Sequence, residues 1–317
     1  MAGIKAWLRR KFGKSVQREQ EDSAAANLFK KPETAPVEEV QVEPAPETGV
    51  QRAWEASGVF SVGWCTDVGH MRNHNEDALF VLSGEQEANN AAPPFGLFML
   101  ADGMGGHQSG EIASALALRI AAGWLLSHVY FPLVDGGDRG GDQPSLTDVV
   151  REAVSQANRV VTRDFPGSGS TLTCGMILGD RLFVGHVGDS RAYLLRVGQP
   201  MRQLTKDHSL ISRLMEMGQL TEEEAAVHPQ RNVLYRAIGQ GATLEIDVFT
   251  YALEPGDRLL LCSDGLWGMV DDAEIWRMVQ EAATPQQACA QLVEAANAAG
   301  GNDNVSVVLV ETWCEQN

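Results

Sequence analysis

The sequence predicts an α+β fold built on antiparallel strands. Three observations carry that expectation. Strand-like runs at 169–178, 181–187 and 192–197 are joined or followed by short turns, among them Gly179-Asp180 and Gly198-Gln199, which suit antiparallel hairpins. Stretches with helical spacing stand apart from those runs, at 109–130, 146–164, 272–282 and 285–298. Two strongly apolar strands, Phe95 to Leu100 and Arg258 to Cys262, are each followed closely by Asp-Gly, at Asp102-Gly103 and Asp264-Gly265.

The 317 residues can hold one large domain or two, and 44% apolar content is enough for a full core. The five cysteines are odd in number, scattered and free of any CxxC spacing. With no secretory h-region and no apolar run read as bilayer-spanning, the expectation is a reduced, cytoplasmic protein. Charge divides the chain. Residues 1–18 carry six bases and no acid, residues 19–57 nine acids against three bases, and residues 58–317 thirty-three acids against sixteen bases. A globular part that acidic is a poor partner for nucleic acid, whose binding rests on phosphate neutralisation.

Ile4, Trp7, Leu8 and Phe12 fall on one face of a basic helical pattern, so residues 1–18 read as a peripheral membrane anchor, with a protein-docking peptide or a frayed tail as the alternatives. Residues 19–57, with Pro32, Pro36, Pro44 and Pro46 among glutamates, read as a disordered linker. The folded domain is expected over 58–317.

Its first strand is predicted near Val59–Trp64, where residues alternate in character. The polar loop Asp67 to Asp77 follows, with Arg72 as a candidate for forked phosphate binding and Glu76 and Asp77 as candidate metal ligands, direct or through water. A strand at Ala78–Leu82 comes next. At Asp102-Gly103 a carboxylate meets a tight glycine turn, and glycine allows close approach or positive φ. A hard divalent cation suits that corner, and an ordinary strand-to-helix turn is the plain alternative. In the helix from Ser109 to Tyr130, Ile112, Leu116, Ile120 and Trp124 form the stripe expected to face the core. Asp189 lies in the turn Gly188-Asp189-Ser190-Arg191, where aspartate often serves only as a local acceptor. Residues 205–240 are irregular and polar, with short helices near Leu210–Met217 and after Thr221. Such an excursion fits a substrate-contacting flap, or equally a passive insertion. Asp303 precedes the last strand, Val305–Glu311.

Each acid alone is bland. Together Glu76-Asp77, Asp102, Asp189, Asp264 and Asp303 flank apolar strands at five places, which suggests carboxylates converging on one end of a β-core. An all-oxygen set favours Mg2+ or Mn2+ over zinc.

The motifs Arg72-Asn73-His74-Asn75-Glu76-Asp77, Ala101-Asp102-Gly103-Met104-Gly105-Gly106-His107, Gly169-Ser170-Thr171-Leu172, Gly188-Asp189-Ser190-Arg191, Ser263-Asp264-Gly265-Leu266-Trp267 and Asp303-Asn304-Val305-Ser306 occur in one order across about 58–313. In this the sequence resembles the metal-dependent protein Ser/Thr phosphatases, the type 2C family, in its bacterial form. The resemblance implies a four-layer α-β-β-α sandwich, two central antiparallel sheets with helix pairs outside. It implies Asp102 and the Gly103 carbonyl as ligands bridging two Mn2+ or Mg2+ ions, Asp264 and Asp303 on the first, Glu76 on the second with Asp77 acting through water, and Asp189 with Asp264 at a weaker third site. It implies Arg72 as the phosphate-binding arginine and a flap over about 207–235. Two ions about 3.5–4 Å apart lower the pKa of a shared water, which attacks the phosphoserine or phosphothreonine phosphorus in line. Met104 stands where eukaryotic members have histidine. His107 follows three residues later, as a proton-transfer group, a role a metal-bound water could fill instead, or equally as a buried or capping histidine.

The implied partners are phosphoproteins made by a Ser/Thr kinase, acted on by a monomer. Two other classes compete: a phosphoprotein-binding regulator without catalysis, and a small-molecule phosphomonoesterase.

Overall fold

The computed structural model describes residues 60–84, 93–105, 109–136, 144–226 and 228–312. The anchor and linker expected over 1–57, and His107, lie outside the described residues. Eleven described strands form two antiparallel sheets. In one sheet the order is β1 (Phe60–Asp67), β11 (Val305–Thr312), β10 (Arg258–Cys262), β7 (Arg191–Leu195), β8 (Arg202–Gln203). In the other it is β2 (Asp77–Gly84), β3 (Phe95–Met104), β5 (Leu172–Leu178), β6 (Arg181–Val187), β9 (Asp247–Ala252), with β4 (Gly169–Ser170) paired to the end of β3.

Period-two alternation builds the layers. From β3, Phe98 and Leu100 pack with Leu259 and Leu261 of β10 and Val308 and Val310 of β11, so the sheets share an apolar interface. The intervening Leu97, Met99 and Ala101 face the other way, onto α1 (Ser109–Leu125) and α2 (Leu146–Asp164). On the opposite side, Leu260 and Cys262 of β10 pack against α6 (Asp272–Glu281) and α7 (Pro285–Ala298). A strand buried on both faces must be apolar throughout, which is why 95–101 reads as one continuous run. This is the expected four-layer sandwich. Short helices α3 (Leu210–Glu216), α4 (Glu222–Ala226) and α5 (Asp264–Trp267) belong to the connections.

The helix expected over 109–130 differs in two respects. Past Leu125 it widens into a π turn, Leu126–Tyr130, before a last turn, Phe131–Val134. Its buried stripe runs through Ala113, Leu116, Ala117 and Ala121, while Ile112 is 43% exposed. Small alanines let the helix lie close to the sheet, so residue size hid the core face from a reading that followed large side chains. The run 110–134 is also long and apolar enough, by composition, to cross a bilayer, contrary to the sequence reading; half of its most apolar window is buried, and it packs as a core helix.

Strand alternation sends the ends of β1, β3, β6 and β10 and the starts of β2, β7 and β11 to one end of the sandwich, as the pairings Asp77↔Asp102, Asp67↔Val305 and Cys262↔Val307 show. The turn at Gly188 is a crossing between sheets, from β6 to β7.

Candidate metal centre

The expected acids meet at that end. A cleft of about 370 Å³ is lined by Arg72, Glu76, Asp102, Gly103, Asp189, Asp264 and Asp303, with Asn232 and Leu234 contributed by the flap region. Asp77 stands beside it, opposite Asp102 in the β2–β3 ladder, and its Oδ2 accepts from Ser263 Oγ at 2.9 Å.

Backbone contacts fix most of these groups. Asp102 does not end its strand: β3 continues two residues to pair Gly103 and Met104 with Ser170 and Gly169. Thr171, between β4 and β5, holds Asp102 reciprocally, its Oγ1 accepting the Asp102 N–H and its own N–H donating to the Asp102 carbonyl, both at 2.8 Å. Gly103 is required by space rather than by dihedral angle, since a Cβ there would lie 2.2 Å from the Gly110 carbonyl oxygen at the start of α1. Positive φ falls instead at Gly105. The Glu76 carbonyl accepts from Gly103 N at 3.1 Å and from Ser114 Oγ at 2.6 Å. Asp189 is anchored through its carbonyl, which accepts from Trp267 Nε1 at 3.1 Å. Over the same Trp267 ring the Arg191 guanidinium stacks at 3.8 Å while pairing with Asp207 at 2.7 Å.

The electrostatics are those of crowded like charges. Burial and then repulsion from Asp77, Asp264, Asp189 and Asp303 hold the Asp102 carboxyl well above the usual range. Burial, then Asp264 and Asp207, does the same to Asp189. Asp77 and Asp264 are also raised, by burial first, against hydrogen bonds that pull the other way. Glu76 is raised by burial despite Arg72 nearby. Desolvation works against the charge on Arg72, but its 2.7 Å hydrogen bond to Asp303 Oδ2 and the nearby charges of Asp303, Glu76 and Asp102 together outweigh it, so its guanidinium is held more firmly charged.

Two buried carboxylate oxygens, Asp77 Oδ1 and Asp264 Oδ1, have no hydrogen-bond partner. An orphaned buried acceptor costs about 1–3 kcal/mol. A divalent cation satisfies such oxygens and reverses the repulsion, so the donor set fits a hard ion. Among the described residues no three His, Cys, Asp or Glu side chains close on a single point as a ready-made coordination sphere. The four described cysteines, Cys65, Cys174, Cys262 and Cys289, are free thiols. Burial raises all four, so they behave as packing residues rather than nucleophiles.

Residues 65–305 match the protein phosphatase 2C family. The chain belongs to that family. Among its phosphatase 2C relatives, the serine/threonine phosphatase Stp of Listeria innocua is 36% identical over 247 residues, covering 78% of this chain and 93% of that protein. The protein phosphatase PhpP of Streptococcus pneumoniae is 37% identical over 248 residues, covering 77% and 94%. The solved serine/threonine phosphatase PstP/Ppp of Mycobacterium tuberculosis is 35% identical, covers 80% of this chain and 99% of its own, and superposes with a TM-score of 0.66. A PstP catalytic domain solved with two manganese ions is 34% identical, with coverage of 80% and 99% and a TM-score of 0.64.

Within the phosphatase 2C fold, every expected site residue except the undescribed His107 reaches the cleft or, for Asp77, its wall. Sequence reasoning gave no role to Thr171, Ser263 and Asn304. Each was visible as a small polar residue inside a motif, Ser263 and Asn304 beside an acid, but each acts on groups far away in sequence, which a linear reading does not show.

Proposed function

We propose that this chain hydrolyses phosphoserine and phosphothreonine in proteins, with two Mn2+ or Mg2+ ions held in the acidic cleft. The observation that carries the reading is the pair of partnerless buried carboxylate oxygens, on Asp77 and Asp264, in a ring of acids facing a single arginine. The PstP domain solved with two manganese ions supports it.

In this reading Asp102, joined by the Gly103 carbonyl, would serve both ions, Asp264 and Asp303 would hold the first, Glu76 the second with Asp77 acting through water, and Asp189 with Asp264 a weaker third. When bound, such ions would supply positive charge for the phosphoryl oxygens and would lower the pKa of water toward neutrality. Arg72 grips the phosphoryl oxygens with its planar fork and orients them for in-line displacement. Asn232 and Leu234 line the cleft, which supports a flap over about 207–235 that meets the substrate chain. His107 delivers a proton to the leaving serine or threonine oxygen. Such esters arise from a Ser/Thr kinase, so a kinase of that class supplies the substrates. The chain acts as a cytoplasmic monomer, with residues 1–18 as a peripheral anchor and 19–57 as a linker to the catalytic domain at 58–317.

The test is phosphate release from a phosphothreonine peptide in Mn2+, with sugar phosphates alongside. Release by the native chain and its loss in Asp102→Asn is the expected result. A well-folded native chain that binds the phosphopeptide without turnover would establish the regulator instead. Faster turnover of sugar phosphates would move the substrate class to small molecules.

A further inference from the structure

The loop from Val68 to Glu76 carries Arg72, yet it makes almost no core contact of its own. His70, Met71, Arg72, Asn73 and His74 are all exposed, Met71 to 71%. A segment without buried apolar contacts takes its position from hydrogen bonds. Two of these come from the backbone, with His70 N and Met71 N donating to the Gly301 carbonyl at 2.7 and 3.1 Å. Three more converge on one side chain. Asn304, 5% exposed, accepts the Glu76 N–H on Oδ1 at 2.8 Å. Its Nδ2 donates to the Val68 carbonyl at 2.8 Å and the His74 carbonyl at 2.9 Å. Both protons and the carbonyl of the carboxamide are therefore used, and they grip both ends of the Arg72 loop.

The same residue reaches the other side of the cleft. Asn304 N donates to Asp303 Oδ1 at 2.9 Å, and Asp303 Oδ2 accepts from Arg72 at 2.7 Å. Gly265, beside Asp264, packs so tightly on the Asn304 backbone that a Cβ would fall 2.0 Å from its carbonyl oxygen. One amide thus joins the loop bearing Glu76 and Arg72 to the strand start bearing Asp303.

We propose that Asn304 is a positioning residue: its carboxamide sets Glu76 and Arg72 against Asp303, so that cation binding and phosphoryl binding both depend on it. This rests on the phosphatase reading of the cleft. The chemistry specifies an amide. Aspartate keeps the acceptor for Glu76 N–H but turns a negative oxygen toward two carbonyls, and serine is too short to span all three partners.

The experiment uses the full chain and compares Asn304→Asp and Asn304→Ser with Asp257→Asn. Asp257 is another buried hub, 1% exposed, bonded to Arg196 and to Glu254 N at the far end of β10. Melting temperature, Mn2+ affinity by calorimetry, and KM and kcat on a phosphothreonine peptide are measured. The expected result for both Asn304 variants is a Mn2+ Kd weakened about tenfold or more, as for other residues that orient metal ligands, with KM raised by a similar factor. Asp257→Asn is expected to lose stability and move neither. The proposal is overturned if the Asn304 variants keep Kd and KM within about threefold of native and lose only stability. It is equally overturned if neither variant folds, or if Asp257→Asn moves Kd and KM as much. A native chain that binds Mn2+ but releases no phosphate defeats the phosphatase reading, and the Kd comparison then still decides the role of Asn304.

Discussion

His186 offers a quantitative test of how the fold treats a buried base behind the cleft. It lies on β6, fully buried, with Nε2 3.1 Å from the Lys206 carbonyl and Nδ1 3.0 Å from Thr173 Oγ1. A neutral ring with its proton on Nε2 satisfies both contacts. Burial, reinforced by His208, pushes its pKa down to about 3, against the opposing pull of Asp247 and backbone acceptors. Arg236, which pairs with Asp247, adds further positive charge to that neighbourhood. The unfolded chain therefore binds a proton near pH 6.5 that the folded chain refuses until about pH 3. Stability from this residue is fully present above pH 6.5 and is lost as pH falls toward 3. One proton of difference gives a slope of about 1.4 kcal/mol per pH unit, so between pH 6.5 and 5 the loss is about 2 kcal/mol. The cleft acids contribute the opposite slope, because their raised pKa values favour the folded state as pH falls. Urea unfolding of native chain and His186→Gln from pH 8 to 5, in chelator, isolates the histidine as the difference between two curves. Gln can still donate to the Lys206 carbonyl, but it fills the buried ring's place less completely, so the variant loses stability at pH 8 and only the slope matters. The native curve should fall about 2 kcal/mol further than that of the variant across the range. Parallel curves would refute the assignment of a neutral, proton-refusing His186.

Three further outcomes follow from the same geometry. Gly103→Ala must force apart the end of β3 and the start of α1, because its Cβ would meet Gly110 O at 2.2 Å and Glu76 O at 2.7 Å. Overpacking of that kind costs about 1–3 kcal/mol, read as a lower melting temperature together with weaker Mn2+ binding. Arg72→Lys replaces a planar fork with a point charge and should raise the phosphopeptide KM about tenfold while the melting temperature stays put, since Arg72 is half-exposed. Saturating Mn2+ should raise the melting temperature, by about 2.7 kcal/mol of stability at a hundred times Kd, and EDTA should reverse it. Asp102→Asn should abolish that shift, which a calorimetric scan reads without any substrate.

Much of the fold was legible because the sandwich imposes its own periodicities on the chain. The helix 146–164 and the strand 258–262 were delimited correctly by pattern alone, since each is amphipathic or continuously apolar between clear breakers. The π turn after Leu125 was hidden, because side-chain pattern does not distinguish one helical hydrogen-bond register from the next. The alanine stripe of α1 was hidden for a different reason: close packing selects small residues that carry little hydrophobic signal.

The site divides along the same line. Glu76, Asp102, Asp189, Asp264 and Asp303 were visible because charge next to an apolar strand is costly and therefore conspicuous. Their scaffold was not, because Thr171, Ser263 and Asn304 act across 69, 186 and more than 200 residues of sequence, Thr171 and Asn304 on backbone atoms that have no letter of their own and Ser263 on the Asp77 carboxylate. The acids alone give a set of repelling charges. What turns them into a site is the neutral residues that hold each one against that repulsion. A sequence that kept every acid and lost Asn304 or Thr171 would still match by its charges, and on this argument would bind its cations and substrate poorly.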